Sequence, residues 1–160
     1  MNFKETGNQT NHLMHHEIIL IDDDEFALYL QEMVLCNFIA NKQPYLFNNA
    51  QDALSFLDDQ SPEISNYLIF LDINMPTMNG WEFLEKLKTH PLRNFLRVIM
   101  VSSSTEKKEK EYAFSNELVE DFLVKPLTEE QLVCLQAREN LHPFFASNTD
   151  KAEESNDDIQ

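Results

Sequence analysis

Short, mostly apolar runs alternate along this chain with longer stretches in which apolar residues return every three or four positions. The runs at 17–21, 45–47, 68–71, 98–101 and 121–124 predict strands, and an uninterrupted apolar run such as Leu68-Ile69-Phe70-Leu71 predicts a strand covered on both faces. Phe26, Tyr29, Leu30, Met33, Val34 and Phe38 recur at helical spacing and are expected in the core. Asn48 or Asn49 caps a second helix holding Ala53, Leu54, Phe56 and Leu57. A polar turn from 58 to 66 contains Pro62. A third helix at about 81–89 turns Phe83, Leu84 and Leu87 inward and stops before Pro91. The fourth, about 106–116, is strongly charged, with Tyr112 and Phe114 among its few anchors. Thr128 and Gln131 form a capping box that opens a fifth helix, with Leu132, Val133 and Leu135 free to pack. Five strand–helix repeats joined by right-handed crossovers predict an α/β fold: a doubly wound, five-stranded parallel sheet of order 2-1-3-4-5. Residues 1–16 predict a polar arm, 17–141 the domain, and 142–160 an acidic, disordered tail.

Composition narrows the function. The chain has 160 residues, enough for one domain with a sizeable core, and a formal charge of −16. It lacks the basic footprint of direct nucleic-acid binding, and an anionic membrane would repel it. No apolar run approaches the ~20 residues of a membrane span, and none reads as a signal peptide. Only two glycines occur, Gly7 and Gly80, so no P-loop, dinucleotide fingerprint or nucleophile elbow can be placed. Cys36 and Cys134 fall in helical segments and are expected to be buried, reduced thiols of a cytoplasmic protein. His12, His15 and His16 sit near the end of the arm, where a solvated arm is expected rather than a metal site.

The chemistry gathers at the strand ends. Asp22 and Asp23 follow the first run, Asp72 the third, Ser102 the fourth and Lys125 the fifth. Asp24 and Glu25 suit a helix N-terminus, but Asp22 and Asp23 sit directly on a buried strand end. In the order 2-1-3-4-5, the ends of strands 1 and 3 meet at the switch point, where such sheets bind ligands. Three carboxylates together need a cation, and an oxygen-rich set that leaves room for water and phosphate suits Mg²⁺. Lys125 adds a point charge suited to a phosphoryl oxygen, and the Ser102 hydroxyl can hydrogen-bond the same group.

Four blocks in this order, IILIDDDE (18–25), LIFLDINMP-x-MNG (68–80), VIMVSSS (98–104) and FLVKP (122–126), resemble the receiver domain of two-component response regulators, a flavodoxin-like fold. The resemblance covers about 17–141. It implies that Asp72 is the phosphoacceptor, charged by a sensor histidine kinase or a phosphotransfer protein. It implies Asp23, Asp72 and the backbone carbonyl of Asn74 as Mg²⁺ ligands, with Asp22 acting through water. It further implies that Lys125 pairs with Asp72 or its phosphoryl group, that Lys125–Pro126 is cis, that Ser102 and Phe122 are the switching pair, and that Ser103 is small enough to admit the phosphoryl group. Output would run through the face formed by helix four, strand five and helix five. The expected role is a stand-alone receiver, not an enzyme beyond self-catalysed phosphotransfer and autodephosphorylation, that docks on another protein or relays the group.

Departures from the pattern are Asn116-Glu117-Leu118-Val119-Glu120, where small residues usually precede strand five, and a second helix that starts without the common glycine. Asn74 and Ser104 hold the positions that tend to set the dephosphorylation rate. The acidic positions also bear on two other readings. A Mg²⁺-dependent phosphatase with an Asp nucleophile commonly needs a second Asp two residues on, where this chain has Asn74. A receiver-like module that is never phosphorylated would not need the acidic positions, which are all intact.

Overall fold

The structure, a computed structural model, describes residues 14–40 and 42–145. Its elements are β1 (His15–Ile21), α1 (Glu25–Cys36), β2 (Tyr45–Phe47), α2 (Ala50–Asp58), β3 (Ser65–Asp72), α3 (Gly80–Lys88), β4 (Leu96–Ser102), α4 (Lys107–Phe114), β5 (Val119–Val124), α5 (Glu129–Gln136) and α6 (His142–Phe145). The strands form one parallel sheet in the order β2-β1-β3-β4-β5, as the repeat pattern predicts. Side chains alternate across it. Ile19, Ile21, Ile69, Leu71, Val98 and Met100 face one core with Phe83 and Leu87 of α3, while Leu20, Phe70, Ile99 and Val101 face the other with Leu28 and Leu35 of α1.

The rotation of α1 differs from expectation. Leu28, Gln31 and Leu35 are the buried stripe, whereas Phe26, Tyr29, Leu30 and Met33 are 68%, 55%, 41% and 52% exposed. Val34 and Phe38 are half-buried against the core. Two features set this rotation. The Asp24 carboxylate caps the helix by accepting the Phe26 and Ala27 N–H groups, and the Gln31 amide turns inward to donate to Asp22 Oδ2. An inward Met or Tyr would leave that buried carboxylate one donor short.

Other expectations need correction. In α4 the buried anchor is Ala113, and Tyr112 and Phe114 are exposed. In α5 Val133 is exposed while Leu132 and Leu135 are buried. Cys134 is exposed and Cys36 half-buried, both free; the inward positions go to Leu28, Gln31 and Leu35 in α1 and to Leu132 and Leu135 in α5. The domain also reaches past 141. Phe144 and Phe145 of α6 are buried, and the His16 ring meets Phe144 edge-on with centroids 5.1 Å apart. His15 and His16 therefore belong to β1, paired with Ser65 and Asn66, and not to an arm. His12 and the segments 1–13 and 146–160 lie outside the described residues. The departure at 116–120 is accommodated by an Asx turn, in which the Asn116 side chain accepts the Leu118 N–H. The β4–β5 register then shifts, with Val98 opposite Val119 and Ile99 opposite Asp121, which leaves Glu120 as the extra residue.

The loop from β3 to α3 is tightly made. Asn79 and Glu82 form a capping box, and the Gly80 N–H donates to Ile73 O at 2.8 Å. A Cβ at Gly80 would stand 2.4 Å from Asp72 O, so only glycine lets α3 begin against the strand end that carries Asp72. Thr77 in the same loop has φ of 68°, a left-handed conformation that strains a β-branched residue. Thr77→Asn is expected to stabilise the protein by about 1 kcal/mol, because Asn tolerates this region. Urea melts check this; an equal or lower midpoint would contradict it.

Candidate functional site

β1 and β3 run side by side with Ile21 opposite Leu71, so the next residues, Asp22 and Asp72, leave the sheet at the same edge. Asp22 is 1% exposed and Asp72 5%. Ligand atoms of Asp22, Asp23 and Asp72 lie within 4.8 Å of one another, with Asp23 the exposed member. From the far side of β4, the Lys125 N–H donates to Ser102 O at 2.8 Å, which ties the exit of β5 to the end of β4. The Lys125–Pro126 peptide is cis. Lys125 Nζ lies 2.6 Å from Asp22 Oδ2 and 3.1 Å from Asp72 Oδ1, one ammonium bridging two buried carboxylates. Asp22 is further held by the Asp24 N–H on Oδ1 at 3.0 Å and by Gln31 Nε2 on Oδ2 at 2.9 Å.

Three carboxylates gather here and a single ammonium bridges two of them, so the pocket is rich in negative charge. Burial, first, and then Asp22 push the Asp72 carboxyl up to about 6, against the pull of Lys125. For Lys125, burial works to lower the ammonium, but the hydrogen bond and charge of Asp22, joined by Asp72, outweigh it and raise it. The arrangement fits a small hard cation: carboxylate oxygens converge, two of them desolvated, and one acid remains open to solvent.

The remaining predicted residues are placed around this centre. Asn74 is exposed just past Asp72. Val101 pairs with Asp72, so Ser102 lies one residue beyond on the adjacent strand; it is fully buried, and its Oγ accepts the Ser104 N–H at 3.0 Å. Ser103 is exposed on the loop that follows. Phe122 pairs with Met100 and is 6% exposed, packed in the core. Ion pairs link Asp22, Asp72 and Lys125 directly, with Asp23 within ligand distance; Ser102 is tied to Lys125 through the backbone, and Ser103 and Asn74 stand on neighbouring chain.

Sequence reasoning missed Gln31. Its signal was a polar side chain at i+3 of Leu28 and i−4 of Leu35. It missed the exposed stripe of α1 as well. Beside that stripe, Ala27, Leu30 and Gln31 of α1 and Lys125, Pro126 and Leu127 line a cavity of about 240 Å³. An apolar surface thus runs up to the two side chains that hold Asp22. Among the described residues no helix is long and apolar enough to cross a membrane.

Comparison with known proteins agrees with this geometry. The model of the response regulator receiver domain matches residues 18–135. A response regulator receiver protein from Dyadobacter fermentans superposes with a TM-score of 0.68 at 32% identity, covering 76% of this chain and 94% of that one. Sporulation initiation phosphotransferase F of Bacillus subtilis is 32% identical over 93 residues, 58% of this chain and 69% of the relative. The cyclic di-GMP phosphodiesterase response regulator RpfG of Xanthomonas campestris is 27% identical over 72% of this chain, but the chain spans only 29% of its length. Strand order, the acidic pocket and these matches agree: the chain belongs to the response regulator receiver family.

Proposed function

We propose that this chain accepts a phosphoryl group on Asp72 from a phosphohistidine of a histidine kinase or phosphotransfer protein. The observation that carries the reading is the Lys125 ammonium bridging Asp22 and Asp72 beside the open carboxylate of Asp23. In the transfer, an Asp72 oxygen bonds to phosphorus, the P–N bond breaks, and its electron pair returns to the imidazole, which takes a proton. Asp23, Asp72 and the Asn74 carbonyl would hold Mg²⁺ directly and Asp22 through water; when bound, the ion offsets the charge of the carboxylates and of the incoming phosphoryl oxygens. Lys125 remains beside the acceptor to meet a phosphoryl oxygen.

The exposed stripe Phe26, Tyr29, Leu30 and Met33 is the docking face for the phosphodonor protein. It borders the pocket through the cavity lined by Gln31 and Lys125, and Glu25 and Glu32 flank it, so the partner presents apolar anchors within a basic rim. The response leaves through α4, β5 and α5, where Tyr112, Phe114, Val124 and Val133 are exposed above the buried Phe122. Incubation with acetyl phosphate tests the acceptor. One phosphoryl group is expected in Mg²⁺ and none in EDTA; an unmodified protein in saturating Mg²⁺, which also fails to bind beryllofluoride, would contradict it.

A further inference from the structure

We infer that Gln31 is a positioning residue for this pocket: its amide fixes the Asp22 carboxylate for the cation and keeps Oδ2 hydrogen-bonded when Lys125 turns to a phosphoryl group on Asp72. The inference rests on the proposed phosphoacceptor function. Gln31 is 5% exposed between Leu28 at 7% and Leu35 at 0%. An amide in such a stripe is costly unless hydrogen-bonded, and Asp22 supplies the partner. Asp22 has three donors, the Asp24 N–H, Gln31 Nε2 and Lys125 Nζ. Of these, Lys125 is shared with Asp72 and sits on a flexible stem, so it is the one that moves when charge appears on Asp72. The other two are fixed, one in the backbone and one on a capped helix. Without Gln31, Oδ2 would be bare whenever Lys125 left. A neutral amide also suits the role better than a second cation, because it orients the carboxylate and leaves its charge for the metal.

The test measures Mg²⁺ affinity by calorimetry on the full chain, with Gln31→Met and, as a packing control on the same buried stripe, Leu35→Met. Gln31→Met keeps length and loses the donor, and it is expected to weaken Mg²⁺ about fivefold, less than loss of a partner of a direct ligand because Asp22 meets the ion through water. Leu35→Met is expected to stay within twofold of wild type. Gln31→Met binding within twofold of wild type, or both variants weakening alike, overturns the inference. A metal-free arm separates its failure from that of the phosphoacceptor reading, and serves if Gln31→Met does not fold. A Gln31 side-chain amide proton is expected to be protected from exchange in wild type and exposed in Asp22→Ala. A wild type that binds no Mg²⁺ would remove the phosphoacceptor reading, whereas unprotected Gln31 protons would overturn the positioning role itself.

Discussion

Asp72→Asn is expected to gain no phosphoryl group from any donor and, in metal-free buffer above pH 6, to be more stable than the wild type. The first outcome follows because an amide oxygen is a poor nucleophile of the same shape. The second follows from linkage. The Asp72 carboxyl sits at about 6 in the folded protein against 3.8 when unperturbed, so the native state favours its protonated form. Its contribution to stability is complete below about pH 4 and is lost as pH rises through 6. Two pKa units correspond to on the order of 2–3 kcal/mol. Urea melts in EDTA should therefore show the mutant's advantage growing by about 2 kcal/mol between pH 4 and pH 7.5. An advantage that does not change with pH would contradict the desolvated, acid-crowded pocket.

The second large effect is expected on α1. Phe26 and Met33 are 68% and 52% exposed, so Phe26→Glu with Met33→Glu should leave the fold intact. It replaces two apolar anchors by charges of the sign already on the rim. Loss of two interface anchors at more than 1 kcal/mol each predicts at least a tenfold slower transfer from a phosphorylated histidine kinase or phosphotransfer protein. Acetyl phosphate, which needs no docking, should label the variant at the wild-type rate. Equal slowing with both donors would mean damage to the pocket, and no slowing with either would remove this face as the docking surface.

Much of this was legible in the chain. The long apolar runs 18–21 and 68–71 read as strands covered on both faces, and a carboxylate directly after such a run falls at the strand end, which placed Asp22 and Asp72. The Thr128–Gln131 box was legible from its own spacing, whereas the need for glycine at position 80 shows only once the helix start is seen against Asp72 O. The rotation of α1 was not. Phe26, Tyr29, Leu30 and Met33 make a helical stripe, and so do Leu28, Gln31 and Leu35; periodicity does not choose between them. The choice is made by the Gln31–Asp22 bond, between residues nine apart, and by the Asp24 cap. The four residues of α6 are too few to show a period, so Phe144 and Phe145 read as tail until β1 is seen beside them. In α4, charge on most positions left Tyr112 and Phe114 as apparent anchors, although the small Ala113 is the residue that lets the helix approach the sheet.

The central claim is that Asp72 itself takes the phosphoryl group. Borohydride reduces an aspartyl phosphate to homoserine, which peptide mass spectrometry can place in the sequence. After acetyl phosphate and Mg²⁺, homoserine is expected at position 72 and at no other aspartate. Homoserine at Asp22 or Asp23, or none in a protein that has gained a phosphoryl mass, would contradict the account.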